Sequence, residues 1–302
     1  MKDTKKTRAT SVYLCRALAI GTLLIASVIH SGAQTYNLSA RNTSVQIDVG
    51  GSGAGIADWT VNGGVSQLSQ QWFYYSVGGG TLSSIDNIAP WSTPTLGGSA
   101  PLGTIINTNL TEKYVNSALS LTTLYTLYSQ PSGSLSASLG TSMGFQNTSG
   151  TNEVLHLYEY SDFALGGNAG DQNVNFSGSG IPYQVNQTGP NGSSLQGTLS
   201  INGGTSYTVE EAAGLADGTS FGLRTGNPAP TFGGPLSAGE GAVDYVYEID
   251  VTLASGQGFT VSATQALAVP EPSSVALMGL GMLGLVISSR KLNFLKAAKN
   301  LR

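Results

Sequence analysis

The sequence predicts an all-β protein: an antiparallel, jelly-roll-like β-sandwich, preceded by an export signal and followed by a short transmembrane helix. Three observations carry this. Charged residues make up only 10% of the 302 residues, against a usual share of about 25%, which is too few for a helical bundle or a coiled coil. Gly accounts for 41 residues, about twice its ordinary share of roughly 7%. Tyr, Val, Thr and Ile recur in alternating runs between Gly-, Asn- and Pro-rich turns, the pattern of many short strands.

The chain opens with five basic residues, Lys2, Lys5, Lys6, Arg8 and Arg16, followed by the apolar run Ala17 to Ile29. His30-Ser31-Gly32-Ala33 then places small residues at the −3 and −1 positions of a cut after Ala33. Basic, apolar and small-residue segments in that order are the layout of a secretory signal peptide. The one Cys, Cys15, lies inside that signal. A mature chain without Cys excludes disulfides, thiolate metal sites and a Cys nucleophile.

Residues 34–269 read as one domain, since no linker divides them. Alternation is clearest in Val243, Tyr245, Tyr247, Ile249, Val251 and Leu253, which share one parity, against Asp244, Glu248, Asp250 and Thr252 on the other. Val246 breaks the pattern. Val115, Leu119, Leu121, Tyr125 and Leu127 share parity in a second segment, and Val45, Ile47 and Val49 in a third. Further strands are expected over 71–77, 134–145, 153–163, 172–176, 207–212 and 258–264. Asn62-Gly63-Gly64 and Asn202-Gly203-Gly204 suit tight turns. Residues 180–204 read as a long polar loop or a hairpin. No repeat of fixed period suggests a propeller or a β-helix.

The charge is uneven. Residues 34–269 hold Arg41, Lys113 and Arg224 against 15 acids, a net charge of −12. Such a surface repels phosphate backbones, so no nucleic-acid partner is expected.

His156 is the single His of the mature chain, which excludes a two-His zinc motif. It sits within a strand, with no Gly-x-Ser-x-Gly elbow anywhere to complete a serine triad. Paired carboxylates could hydrolyse glycosides, with Asp58, Asp86, Glu153, Glu159, Asp162, Glu210 and Glu211 as candidates; acids on wet strand faces and in turns are the plainer account. Residues 166–173 offer oxygen ligands for calcium but match neither EF-hand nor nonapeptide spacing. Trp72-Phe73-Tyr74-Tyr75 alternates within a strand and reads mainly as core. Trp59 and Trp91, in turn-rich stretches, are better placed to stack on sugars. Glycosylation sequons begin at Asn37, Asn42, Asn109 and Asn147. No catalytic residue, cofactor or metal ligand is assigned from sequence.

Residues 270–302 begin with Pro270-Glu271-Pro272, followed by 17 uncharged residues from Ser273 to Ser289 and then Arg290-Lys291. As a helix that run spans on the order of 26 Å, just short of a bilayer core. Arg290 and Lys291 would stop transfer and stay cytosolic. Pro270 and Pro272 break any helix entering from the body.

Pro-Glu-Pro, a Gly/Leu-rich span and a basic cluster, together with an N-terminal signal, resemble the PEP-CTERM sorting domain of Gram-negative bacteria. The resemblance implies that the chain is an exosortase substrate. That membrane protease would recognise the Pro-Glu-Pro segment and release or relocate the body toward the cell surface, in a producer of extracellular polysaccharide. Here the chain runs on past the basic cluster to Arg302. The expected function is therefore an exported, non-enzymatic surface or matrix protein, associated with exopolysaccharide or the envelope and held in the inner membrane only as an intermediate. A carbohydrate-active enzyme using two carboxylates, or a calcium-dependent adhesin, are the alternatives.

Overall fold

The computed structural model describes residues 34–51, 54–88, 93–99, 107–128, 130–167, 170, 172–177, 182–213, 237–238 and 243–270. Ala33, Trp91, Glu271, Pro272, Arg290 and Lys291 lie outside them, as do the segments expected to form the signal peptide and the C-terminal helix.

In chain order the first strands are β1 (Thr35–Ala40), β2 (Thr43–Asp48), β3 (Gly55–Val61), β4 (Leu68–Val77), β5 (Ser83–Ser84) and β6 (Thr95–Ser99). Next come β7 (Asn107–Val115), β8 (Leu119–Tyr128), β9 (Ser136–Asn147), β10 (Glu153–Phe163), β11 (Asn173–Ser177) and β12 (Tyr183–Thr188). The last are β13 (Ser194–Gly203), β14 (Ser206–Ala213), β15 (Ser237–Ala238), β16 (Asp244–Leu253) and β17 (Gly258–Ala268). They form two antiparallel sheets. The first runs β1-β2-β3-β4-β10-β16-β14, with β5 beside β4; the second runs β15-β11-β12-β13-β17-β9-β8-β7-β6. With 17 described strands, the body is about twice an eight-stranded jelly roll, so the likeness stops at the sandwich.

The alternating strands explain themselves. In β16, Tyr245, Tyr247, Ile249, Val251 and Leu253 are buried and face the second sheet, where Phe176 of β11 packs edge-on against Tyr245 and Tyr247. Val246, the exception to the alternation, is buried on the opposite, outer face. It is covered because that end of the outer face carries Tyr160 and Trp72 in register beside it. A 3-10 turn, Ile85–Asn87, closes over Trp72, whose indole N–H donates to Ser84 and Asp86.

Of residues 180–204, the described 182–204 form a hairpin: β12 pairs with β13 through a 3-10 turn at Pro190–Gly192. The Asn202-Gly203-Gly204 turn joins strands that do not pair. β13 lies in the second sheet and β14 in the first, so this turn carries the chain across the sandwich. Gly203 and Gly204 have φ of 92° and 79°. A Cβ on Gly203 would stand 2.9 Å from the Gly258 carbonyl oxygen, so only Gly makes this crossing without strain.

β17 sits between β13 and β9. Just past its end, the Val269 N–H donates to the Leu135 carbonyl at 2.8 Å, and the Pro270 ring lies beside Gly192. The body therefore stays hydrogen-bonded to the residue before the Pro-Glu-Pro segment.

Candidate functional site

The interior of the sandwich holds two carboxylic acids. Glu159, on the inward face of β10, is 1% exposed. Its Oε1 accepts Nε2 of Gln71 at 2.7 Å from within the same sheet and Nε2 of Gln265 at 3.2 Å from the opposite one. Its Oε2, with Gln71 Oε1, Gln265 Oε1 and Ser161 Oγ, has no hydrogen-bond partner among the described residues. Burial pushes the Glu159 carboxyl up to about 7, against the lowering pull of the two amides. Glu112, on β7 and 2% exposed, accepts the Tyr114 hydroxyl at 2.6 Å. It too is raised to about 7, chiefly by desolvation, with Asp86 adding to it. A raised carboxyl can serve as a general acid, but both lie within the closed core, where a polysaccharide does not reach. Sequence reasoning put Glu159 on a wet face; strand parity turns it inward, beside Leu157 and Ser161. Glu112 went unremarked because its neighbours Thr111 and Lys113 make the stretch look polar.

The remaining acids scatter. Asp58 is exposed in a left-handed conformation, φ 53°. Asp86 is tied to Trp72, and Glu153 Oε1 accepts the Ser149 and Thr151 hydroxyls. Asp162 pairs in register with Asp244, which accepts the Tyr160 hydroxyl. Glu210 is exposed, whereas the half-buried Glu211 is raised by desolvation.

The outer face of the first sheet gathers what the sequence left apart. Ser76, His156, Asp250 and Thr208 stand in one row across β4, β10, β16 and β14, with Tyr74, Tyr158, Glu248 and Glu210 in the next. His156 Nδ1 lies 2.5 Å from Asp250 Oδ1 and 3.7 Å from Glu248 Oε1. Tyr158 donates its hydroxyl to Glu248 at 2.7 Å. Desolvation raises Glu248, and so do Asp250 and Glu210 beside it.

Trp59 corrects the expectation of an exposed sugar platform. It is fully buried, donates its indole N–H to Thr43 Oγ1 at 3.0 Å and packs against Phe163. A register shift between Ser44 and Gln46 opposite β3, together with the left-handed Asp58, turns the ring inward. Trp72, Phe73 and Tyr74 are buried as core. Of the calcium segment, Asn168, Ala169 and Asp171 lie outside the described residues. Gln172 points inward instead, its Oε1 accepting Leu165 N–H and Gln187 Nε2.

Two of the sequon asparagines are structural. Asn147 is fully buried: its Nδ2 donates to the carbonyls of Thr151, Leu253 and Ala254, and its Oδ1 accepts Ser149 N–H and Oγ–H. Asn42 donates to the carbonyls of Ser134 and Ser136 and accepts Gln130 N–H. Neither amide is open to a glycan in the folded state, whereas Asn37 is exposed.

A groove of about 510 Å³ lies on the second sheet beside the exit of the tail. Ser136, Ser138, Asn186, Ser194, Gln196 and Ala266 line it, without a charge among them.

These features define a class: a two-sheet β-sandwich whose last central strand runs directly into a Pro-Glu-Pro segment. The PEP-CTERM protein-sorting motif matches residues 268–291, so the chain carries that sorting motif directly after β17. The motif implies export and exosortase-mediated sorting toward the cell surface. Among the described residues, no helix is long and apolar enough to cross a membrane. No curated protein matches the chain in sequence. Among solved structures it is similar to a bacterial glucoamylase complexed with acarbose, at 10% identity and a TM-score of 0.43, over 85% of this chain and 36% of that one. It is also similar to the Slr1438 protein from Synechocystis sp. PCC 6803, at 9% identity and a TM-score of 0.39, over 81% and 99%. The chain thus spans about a third of the glucoamylase's length. At such TM-scores neither likeness bears on what this body does.

Proposed function

We propose that this is an exported, non-enzymatic surface or matrix protein, held in the inner membrane as a sorting intermediate and then associated with extracellular polysaccharide. The sorting motif, joined to β17 without a linker, carries this reading. Two further features support it. The groove beside the tail is uncharged, with amides and hydroxyls set among the apolar Leu195, Ala266 and Leu267, a mixed surface that suits neutral glycans better than charged ones. The two carboxyls raised to about 7 lie in the closed interior and so have no access to a polymeric substrate.

Changing Pro270, Glu271 and Pro272 together to Ala tests the sorting step. The apolar span and its basic stop are untouched, so insertion should proceed. The variant should accumulate as a full-length membrane-bound form, seen by fractionation and mass spectrometry of its termini. A body that reaches the surface or medium at wild-type rate and size would show that the segment is not the sorting determinant and that the tail is only an anchor.

A further inference from the structure

We propose that His156, Glu248 and Asp250 form a binding site for a divalent cation of the zinc class on the outer face of the first sheet. Three observations carry this.

The first is geometry. One nitrogen and two carboxylate oxygens, from two adjacent strands, lie within 4.8 Å of one another. Zinc holds nitrogen and oxygen ligands at about 2.0–2.2 Å, which in a tetrahedron places ligand atoms roughly 3.4 Å apart. The His156–Glu248 separation of 3.7 Å is close to that already. The 2.5 Å His156–Asp250 contact opens by under 1 Å when a metal replaces the proton between them.

The second is charge. Glu248 stands directly opposite Glu210 and two residues from Asp250 on the same face. Like charges in that register repel, and no Lys or Arg among the described residues offsets them. The described basic residues are Arg41, in the β1–β2 turn, and Lys113, on β7 of the other sheet. A bound cation supplies the missing charge.

The third is support and access. Tyr158, almost fully buried, donates to Glu248 Oε1 and holds that carboxylate in place, as outer partners of metal ligands do. The His156 and Asp250 side chains remain 29% and 34% exposed, which leaves a path for the ion and an open position for water or a further ligand. The imidazole nitrogen favours zinc over calcium, which prefers an all-oxygen shell.

The test is calorimetric titration of the full chain, in detergent and without a polyhistidine tag, with zinc chloride and in parallel with calcium chloride. One equivalent of zinc should bind, calcium should bind at least tenfold more weakly, and cobalt should give the intense visible absorption of a four-coordinate site. His156→Ala and Glu248→Gln should each weaken zinc binding tenfold or more, while Glu153→Gln leaves it unchanged. Zinc should raise the melting midpoint of the wild type but not of these two variants, and their metal-free midpoints report whether they are folded. If His156→Ala unfolds the chain, Glu248→Gln and Asp250→Asn decide the matter. Absence of zinc binding in the wild type, or binding that survives all three substitutions, overturns the proposal.

Discussion

Replacing Glu159 by Gln will raise the melting midpoint at pH 8 while leaving it nearly unchanged at pH 4.5. The folded carboxyl, raised to about 7, holds its proton more tightly than the same group in the unfolded chain, near 4.5. Between those values the folded state binds more protons, so stability falls as pH rises. With respect to this group, stability is full below about pH 4.5, declines through the window to about 7, and is flat above it. The displacement corresponds to on the order of 3 kcal/mol. In a body of this size that is about 6–12 °C in the midpoint. Gln keeps the side-chain shape and cannot ionise, so it removes the penalty at pH 8. Glu112, raised in the same direction, preserves part of the slope in the variant. Scanning calorimetry at the two pH values reads the outcome. An equal change at both would mean that the carboxyl titrates alike in the folded and unfolded chain, and a loss at pH 8 that the buried carboxylate is ionised and held by a counter-charge.

Replacing Asn147 by Ala will destabilise the body by about 3–5 kcal/mol. The side chain ties three carbonyls from two connections, the β9–β10 turn and the β16–β17 turn, and accepts two donors from Ser149. Ala fills little of the space and leaves the buried Leu253 carbonyl without its donor. The midpoint should drop by roughly 6–20 °C. Asn37→Ala, at an exposed sequon, should change stability by no more than about 0.5 kcal/mol. A loss below about 1 kcal/mol at Asn147 would show that solvent replaces its bonds.

Where strands alternate strictly, their faces were legible. β8, β9 and β16 were readable because inward residues, apolar but for Thr123, Thr141 and Asn147, recur at every second position over ten or more residues. β6, Thr-Leu-Gly-Gly-Ser, has no such period; its existence depends on β7 beside it. β13 reads as a strand only through its neighbours, since Ser, Gln, Thr and Asn fill its outward positions and Gly197 takes one of the inward ones. Trp59 shows a second limit. Its flanks are rich in Gly, so composition suggested exposure, and the irregular pairing of β3 with Ser44–Gln46, with Asp58 left-handed, turned it inward. The trio of His156, Glu248 and Asp250 shows a third. All three occupy the polar parity of long strands, which is visible in sequence. What is not visible is the register of β10 on β16, which sets His156 opposite a residue 94 positions away. A shift of two residues would have placed His156 opposite another partner with no change in either strand's pattern.

The attachment of the tail to β17 also has a mechanical consequence. β17 is hydrogen-bonded along nearly its whole length to β13 on one side and β9 on the other. A pull on the tail, against a body gripped by a surrounding gel, enters along that strand's axis. Its cross-strand bonds lie perpendicular to the load and are sheared together rather than unzipped singly. Resistance under such a load is set by the rate of forced unfolding and not by equilibrium stability. A tail pulled while the body is held therefore loads the fold in its shear direction, with a central strand rather than a turn carrying the force.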